Sequence, residues 1–196
     1  MFDKIFSIFA IILISPIIII VSSIIIFKDG FPIFFSQERV GKNGKIFKIY
    51  KFRTMIKNAE EILKNDKSLY DEYVKNGYKI ESSRDPRILP FGKFLRSSSI
   101  DELPQFFNVL KNDMSVVGPR PVVKKEVDDL YGENKAIYLS MKPGVTGLWQ
   151  VSGRSNIKDF ERVQLDIEYS KTKSIFLDIK IILKTVAEVL RRTGAY

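Results

Sequence analysis

Two adjacent carboxylates, Asp101 and Glu102, are the strongest candidates for chemistry in this sequence. They precede an apolar run, FFNVL, and Pro104 stands where the first turn of a helix tolerates a residue without an N–H. The same spacing has a structural explanation, because Asp is a favoured N-cap and Ser99 with Glu102 matches a capping box. Spacing alone favours this structural interpretation, so a chemical role depends on the residues around the pair.

Arginines and glycines accompany the carboxylate pair. Arg96 precedes it, and Arg120 is held between Pro119 and Pro121. A helix N-terminus attracts anions, and a stiffly held guanidinium can bind a phosphate through two hydrogen bonds. A carboxylate pair in such surroundings can bind Mg²⁺ and supply a nucleophile. A further segment, KPGVTGLWQVSGR (142–154), ends in Arg154 and is compatible with a ligand site or with a plain turn around a buried Trp.

The composition removes several classes of enzyme. The 196 residues include no His and no Cys, so an imidazole base, a thiolate nucleophile and a Cys/His zinc site are all excluded. An enzyme of this composition must use carboxylates, cationic side chains, hydroxyls or a hard cation held by oxygen ligands. The net charge of +9 also allows a non-enzyme, a membrane-tethered basic module that binds anionic lipid or nucleic acid.

An uncharged segment near the N-terminus predicts a membrane anchor. Residues 5–27, between Lys4 and Lys28, carry no charge, and roughly 20 apolar residues cross a bilayer core. The segment is longer than the roughly 7–15 apolar residues of a signal peptide. Ser15 and Pro16 interrupt it, which is compatible with a kinked spanning helix or with a re-entrant helix-break-helix. Either topology places the chain after Lys28 in the cytosol.

The remaining patterns predict an α+β fold that is mainly helical. Aromatic and β-branched runs at 33–40 and 46–53 flank an Asn-Gly turn, which indicates a small β-hairpin. Residues 54–76 predict one or two exposed helices. Residues 176–192 predict an amphipathic helix, either an ordinary core helix or one lying at the membrane interface. We expect an anchor over residues 1–28 and one cytosolic-face catalytic domain over residues 29–196.

Four motifs carry a resemblance to a known family. They are KFRTM (51–55), FLRSSSIDELPQFFNVLKNDMSVVGPRP (94–121), KPGVTGLWQVSGR (142–154) and the terminal RRTGAY. In this order they resemble the bacterial sugar transferase family, the monotopic polyprenyl-phosphate phosphoglycosyl transferases. The resemblance covers almost the whole chain, and it favours a functional Asp101 over a purely capping one.

The resemblance implies a reaction and a location. Family members transfer a sugar 1-phosphate from a UDP-sugar to undecaprenyl phosphate and release UMP, as the first membrane step of surface-glycan assembly. The implied location is the cytoplasmic face of the bacterial inner membrane, with no nucleic-acid partner. The resemblance also favours the re-entrant anchor, broken at Ser15 and Pro16. A homodimer is one of the oligomeric states that the sequence leaves open.

The resemblance also implies roles for individual residues. Asp101 matches the nucleophile that forms a phosphosugar aspartyl intermediate, and Glu102 matches the second member of a dyad that works with Mg²⁺. The residues expected around the phosphates are Arg53, Arg96, Pro119, Arg120, Pro121 and Arg154.

The motifs around residues 147–150 and the Gly-Ala-Tyr end are similar to hexose-specific members. We therefore expect galactose or glucose 1-phosphate, with an N-acetylated or diamino sugar as the alternative. Such members often carry a large N-terminal membrane region, and we expect this chain to hold the catalytic core alone.

Overall fold

The computed structural model describes residues 2–75, 80–153, 157 and 159–191. The predicted α+β class is confirmed, since helices predominate and two small sheets complete the described part. The helices are α1 Phe2–Asp29, α2 Ala59–Asn65, α3 Lys67–Lys75, α4 Pro90–Ser97, α5 Gln105–Leu110, α6 Lys124–Tyr131, α7 Lys135–Ser140, α8 Asp159–Thr172 and α9 Ile175–Arg191. The strands are β1 Phe34–Val40, β2 Ile46–Phe52, β3 Ser115–Val117 and β4 Gly144–Thr146.

The predicted β-hairpin is confirmed. Strands β1 and β2 pair antiparallel, and a 3₁₀ turn over Lys42–Gly44 joins them. Asn43 adopts a left-handed conformation in this turn, which Asn tolerates better than most residues. One side chain of α5 fixes the hairpin: Asn108 accepts from the backbone N–H of Tyr50 at 3.0 Å and donates to the carbonyl of Lys48 at 2.7 Å. The hairpin therefore has a set position relative to the residues that precede α5.

A second, parallel sheet joins two of the sequence motifs. Strands β3 and β4 pair at Ser115 with Gly144 and at Val117 with Thr146. Glycine is required here because a Cβ on Gly118 would collide with the carbonyl oxygen of Lys142, and one on Gly144 would collide with the backbone of Gly118. This close approach holds the Pro-Arg-Pro segment, which directly follows β3, against the glycine-rich segment.

Helix α1 runs from Phe2 to Asp29 with Pro16 inside it, so the structure has a continuous helix where two separate half-helices were expected, and the re-entrant topology stays a prediction. Pro16 has no N–H for the carbonyl of Ile12, which lies four residues earlier. The hydroxyl of Ser15 donates to that carbonyl at 2.8 Å and so replaces the missing hydrogen bond. Within the described ranges, α1 is the one helix that is long and apolar enough to cross a membrane, and few of its side chains are buried.

Both ends of α1 contact the same domain. At the N-terminal end, Asp3 Oδ1 accepts from the backbone N–H of Val116 at 3.0 Å. At the C-terminal end, Val21 and Ile25 are buried in a cluster with Phe52 and Leu95. The apolar side chains between these ends are largely exposed.

Two further expectations from periodicity are confirmed. Residues 54–76 contain the two short helices α2 and α3, and α9 occupies the segment predicted to be an amphipathic helix. Helix α9 has an inner and an outer apolar face. Ile181 is buried in the core, whereas Phe176 and Leu183 are 82% and 66% exposed. The exposed stripe is what an interfacial helix requires.

Candidate active site

The candidate active site is an open cleft of about 2090 Å³. Its walls come from the hairpin, the segment between α4 and α5, the Pro-Arg-Pro segment, the start of α8 and the inner face of α9. The cleft brings together most of the site residues predicted from the sequence, and the members that line it are Arg53, Arg96, Asp101, Glu102, Arg120 and Pro121. Arg154 lies outside the described residues.

The two carboxylates lie in a 3₁₀ turn, Ile100–Glu102, and not at the N-cap of α5. The N-cap of α5 is Pro104, and Ser99 makes no side-chain capping bond, so the predicted capping box is wrong. Ser99 instead has φ 58°, a left-handed conformation that costs a non-glycine residue free energy. The turn thus leaves the carboxylate of Asp101 without a capping function.

Asp101 is a buried carboxylate at the wall of the cleft. It is 8% exposed. Burial, and then the neighbouring carboxylate of Glu102, raise the pKa of Asp101 to about 6, while Lys51 and Arg96 act in the opposite direction. A buried carboxylate that is not fully paired with a cation is more typical of a reacting group than of a group that only supports the fold.

Glu102 has a partner that the sequence analysis missed. Lys51 Nζ lies 2.6 Å from Glu102 Oε1, so strand β2 supplies a cation to the carboxylate pair. Lys51 is the first residue of the KFRTM motif, which was the available signal. Periodicity gave no reason to join residues 51 positions apart, since that contact depends on how α5 holds the hairpin.

Arg96, on α4, lies beside the carboxylate pair of Asp101 and Glu102. Its Nε donates to Thr54 Oγ1 at 2.9 Å, and Asp101 and Asp85 favour its charged form. Burial, the largest influence, lowers the pKa of Arg96. Arg96 is partly buried near Asp101, and its place around a phosphate stays a prediction.

Arg120 belongs to a cluster of three guanidinium groups with Arg39 and Arg162. Its Cζ lies 5.1 Å from the centre of the Trp149 ring. Burial, and then the nearby Arg120, lower the pKa of Arg39, whose Nε has no hydrogen-bond partner among the described residues. Glu126 contacts both Arg39 and Arg162, at 3.6 Å each. Three cations packed around two carboxylates, Glu126 and Asp166, leave an excess of positive charge, whose free-energy cost a bound anion would recover.

Backbone hydrogen bonds hold the Pro-Arg-Pro segment in place. The carbonyl of Pro119 accepts from the N–H of Gly144 at 2.8 Å, and the carbonyl of Arg120 accepts from Tyr138 Oη at 3.2 Å. Pro121 lines the cleft. The expectation of a stiffly held Arg120 is consistent with these contacts.

Arg53 lines the cleft, but its donors point to the end of α1 and not to open space in the cleft. Its guanidinium forms an ion pair with Asp29, and Nε and Nη2 each lie 2.6 Å from a backbone carbonyl, of Pro32 and Gly30 respectively. The side chain is 7% exposed. These partners occupy the donors that a phosphate would need, so Arg53 joins the helix to the domain.

Two other buried acids were not recognised in the sequence. Asp85 forms a bidentate hydrogen-bonded ion pair with Arg87, at 2.8 and 2.7 Å, in the loop before α4. Asp166 accepts from Tyr131 Oη at 2.7 Å, and burial raises the pKa of Asp166 to about 6 although Arg162 and Arg120 lower it. Neither acid stood in a motif with a distinctive spacing.

The described residues offer few side chains that could bind a metal ion. Among the described residues there is no cluster of three or more acidic side chains that could enclose an ion. Asp101 and Glu102 do fit the way in which Mg²⁺ is often held, by one or two carboxylates together with substrate phosphates.

Together these features define an α+β domain, in contact with both ends of a long apolar helix, with a cleft lined by several arginines and two adjacent carboxylates. The chain belongs to the bacterial sugar transferase family, whose model matches residues 1–192.

Three curated relatives indicate the range of similarity. Over 169 residues the chain is 53% identical to the galactosyl transferase CpsE of Streptococcus agalactiae serotype III (strain NEM316), covering 86% of this chain and 37% of that protein. It is 46% identical over 199 residues to the undecaprenyl-phosphate galactose phosphotransferase of Salmonella typhimurium, covering 100% and 41%. It is 40% identical over 199 residues to the exopolysaccharide production protein ExoY of Sinorhizobium fredii, covering 100% and 86%. The chain therefore spans about two fifths of the first two relatives and most of the third.

Proposed function

We propose that this chain transfers a hexose 1-phosphate, from UDP-galactose or UDP-glucose, to undecaprenyl phosphate and releases UMP. The reaction would begin the assembly of a surface polysaccharide at the cytoplasmic face of the inner membrane. The observation that carries the proposal is the buried carboxylate of Asp101 in a cleft lined by arginines and joined to an apolar helix. The names of the relatives support the lipid acceptor and the sugar.

The chemistry consists of two displacements at one phosphorus atom. A carboxylate oxygen of Asp101 attacks the β-phosphorus of the donor, and the bond from that phosphorus to the bridging oxygen of UMP breaks. A phosphate oxygen of the acceptor then attacks the same phosphorus, which releases Asp101 and forms a diphosphate linkage. Dividing one displacement into two is the advantage of a covalent intermediate.

The cationic side chains have separate tasks in this scheme. Arg39 and Arg120 are placed to bind the diphosphate of the donor, and Arg96 is near the phosphorus that Asp101 attacks. Lys51 holds Glu102 in position through their 2.6 Å contact. Mg²⁺ held by Asp101, Glu102 and the donor phosphates would neutralise charge as it develops. We expect activity to disappear in EDTA and to return with Mg²⁺ or Mn²⁺.

The function is tested by measuring UMP release from a panel of UDP-sugars by the purified protein in vesicles that contain undecaprenyl phosphate. Release with UDP-galactose or UDP-glucose is expected, and Asp101→Asn should abolish it without unfolding the protein. Release with N-acetylated or diamino sugars alone would select the alternative donor class. Absence of release with every donor, together with binding to anionic vesicles or nucleic acid, would favour a non-enzymatic basic module.

We also propose that residues 1–28 anchor the catalytic domain, residues 29–196, with both ends of α1 on the cytoplasmic side. A straight spanning helix of this length would place its ends about 40 Å apart on opposite sides of the bilayer. The contacts of Asp3 with Val116 and of Arg53 with Asp29 instead tie both ends to one domain.

This topology is tested with a single cysteine in a chain that has none. Phe2 is 41% exposed, so Phe2→Cys offers a site near the N-terminus. An impermeant thiol reagent should label it only after spheroplasts are permeabilised. Labelling of intact spheroplasts would show that the helix spans the membrane.

A further inference from the structure

A second, smaller cavity lies between the apolar helix and the catalytic turn. It has a volume of about 210 Å³, and no polar surface lines it. Helix α1 forms one wall and α4 with Ile100 forms the other, and the lining residues are Ile17, Ile20, Val21, Ile24, Phe91, Phe94, Leu95 and Ile100. We call this cavity the isoleucine groove.

The isoleucine groove and the cationic cleft share one wall. Leu95 and Ile100 line the groove, whereas the residues that follow each of them, Arg96 and Asp101, line the cleft. One short segment of chain therefore presents apolar side chains to one space and charged side chains to the other. A ligand with a phosphate joined directly to a hydrocarbon chain matches this division.

We propose that the isoleucine groove binds the first isoprene units of the polyprenyl phosphate acceptor, next to its phosphate. The inference rests on the proposed function, because it takes the acceptor from there. The absence of polar surface fits a chain that has no polar atoms beyond its phosphate, and α1 supplies a path from the groove to the hydrocarbon of the bilayer. A chain bound here has its phosphate end beside the turn that carries Asp101.

The volume of the groove limits how much of the chain it can hold. A water molecule takes up roughly 30 Å³ of liquid, so the groove accommodates about seven heavy atoms. Each isoprene unit contains five carbon atoms, and the groove therefore fits one to two units. The remaining units of a long acceptor would lie in the bilayer and contribute little to recognition by the groove.

The test compares acceptors of increasing length with two variants of neighbouring residues. Ile20 lines the groove and is 59% exposed, whereas Ile19 does not line it and is 65% exposed. Ile20→Trp should fill the groove, and Ile19→Trp is its matched control on the same helix. The acceptors are prenyl phosphates of one, two and eleven isoprene units, supplied at equal total concentration to the protein in detergent micelles.

In the native protein, kcat/KM should rise steeply between one and two isoprene units. Ile20→Trp should lower kcat/KM for the two-unit acceptor about tenfold, the loss expected for roughly two buried methylene groups. The one-unit acceptor should be affected least. Ile19→Trp should behave as the native protein does, and Ile24→Trp provides a second groove-filling variant.

A single turnover without acceptor separates this inference from the proposed function. UMP release from the donor alone reports the first displacement, and it should be equal in the native protein and in Ile20→Trp. No UMP release in the native protein would refute the proposed function. If UMP release is normal and kcat/KM depends on acceptor length in the same way in Ile20→Trp and Ile19→Trp, the groove is not an acceptor site. Such a result would mean that bilayer lipid fills the groove.

Discussion

Arg53 and Arg120 have the same side chain and line the same cleft, but the structure uses them in opposite ways. Arg53 is surrounded by acceptors: the carboxylate of Asp29 and two backbone carbonyls. Arg120 instead lies against the Trp149 ring and near the guanidinium of Arg39. A cation whose partners are all supplied by the protein stabilises the fold, whereas a group of crowded cations is completed by a ligand. The burial of an arginine therefore does not reveal its role, but the identity of its neighbours does.

Among the substitutions that test this comparison, the largest effect should come from removing the cation at the Pro-Arg-Pro segment. Arg120→Met should lower kcat/KM about 10²–10³-fold, as does the loss of one charge-stabilising donor in other active sites. Its melting temperature should remain close to the native value, because Arg120 makes no ion pair within the described residues. The measurements are steady-state kinetics and thermal unfolding in detergent. A large loss of stability with intact kinetics would place Arg120 in the same class as Arg53.

The same substitution at Arg53 should have the opposite outcome. Arg53→Met leaves Asp29 without its cation, and breaking such a pair costs about 3 kcal/mol. In a chain of this size that loss lowers the melting temperature by about 6–12 °C. The fraction that stays folded at low temperature should keep kcat/KM within about threefold of the native value, since Asp29 and two backbone carbonyls already occupy the donors of Arg53. A kinetic loss as large as that of Arg120→Met would return Arg53 to the phosphate site.

The smallest effect concerns Asp166, which stands behind the arginine cluster. Its pKa is raised to about 6 in the folded protein against roughly 3.9 in the unfolded chain, so the folded state binds the proton more tightly. The free energy of unfolding should therefore fall as pH rises from about 4 to 6 and stay lower above that range. Asp166→Asn has no such titration, so its melting temperature relative to native should rise by a few degrees between pH 4.5 and 7.5. Asp129→Asn, at an exposed position on α6, should show no such change.

The elements of this fold follow from local patterns. The turn residues of the hairpin, the 3.6-residue periodicity of α9 and the uncharged run of α1 each act over short distances, and the sequence predicts all three. The adjacent carboxylates were also recognisable, because their surroundings of Ser, Pro and Arg are unusual. These patterns depend only on residues that are close in the sequence, and the structure contains the elements that they predict.

The partners of the charged side chains do not follow from local patterns. Arg53 stands in the same motif as Lys51, yet one contacts the end of α1 and the other contacts Glu102. Which partner each one meets depends on how the hairpin packs against α1 and α5. The capping prediction failed for a related reason, because the left-handed Ser99 starts a 3₁₀ turn that separates Asp101 from α5. Tertiary packing decides these contacts, and spacing along the chain does not report it.

The attachment of α1 at both ends has a practical consequence. Phe6, near its start, lines the cleft that holds Asp101, and Val21 and Ile25, near its end, complete a cluster with Phe52 and Leu95. Deleting the helix to obtain a water-soluble fragment would strip apolar contacts from the core and open one wall of the cleft. Biochemical work on this protein therefore calls for a chain that keeps α1, in lipid or detergent, since the helix is part of the packing of the domain and of its cleft.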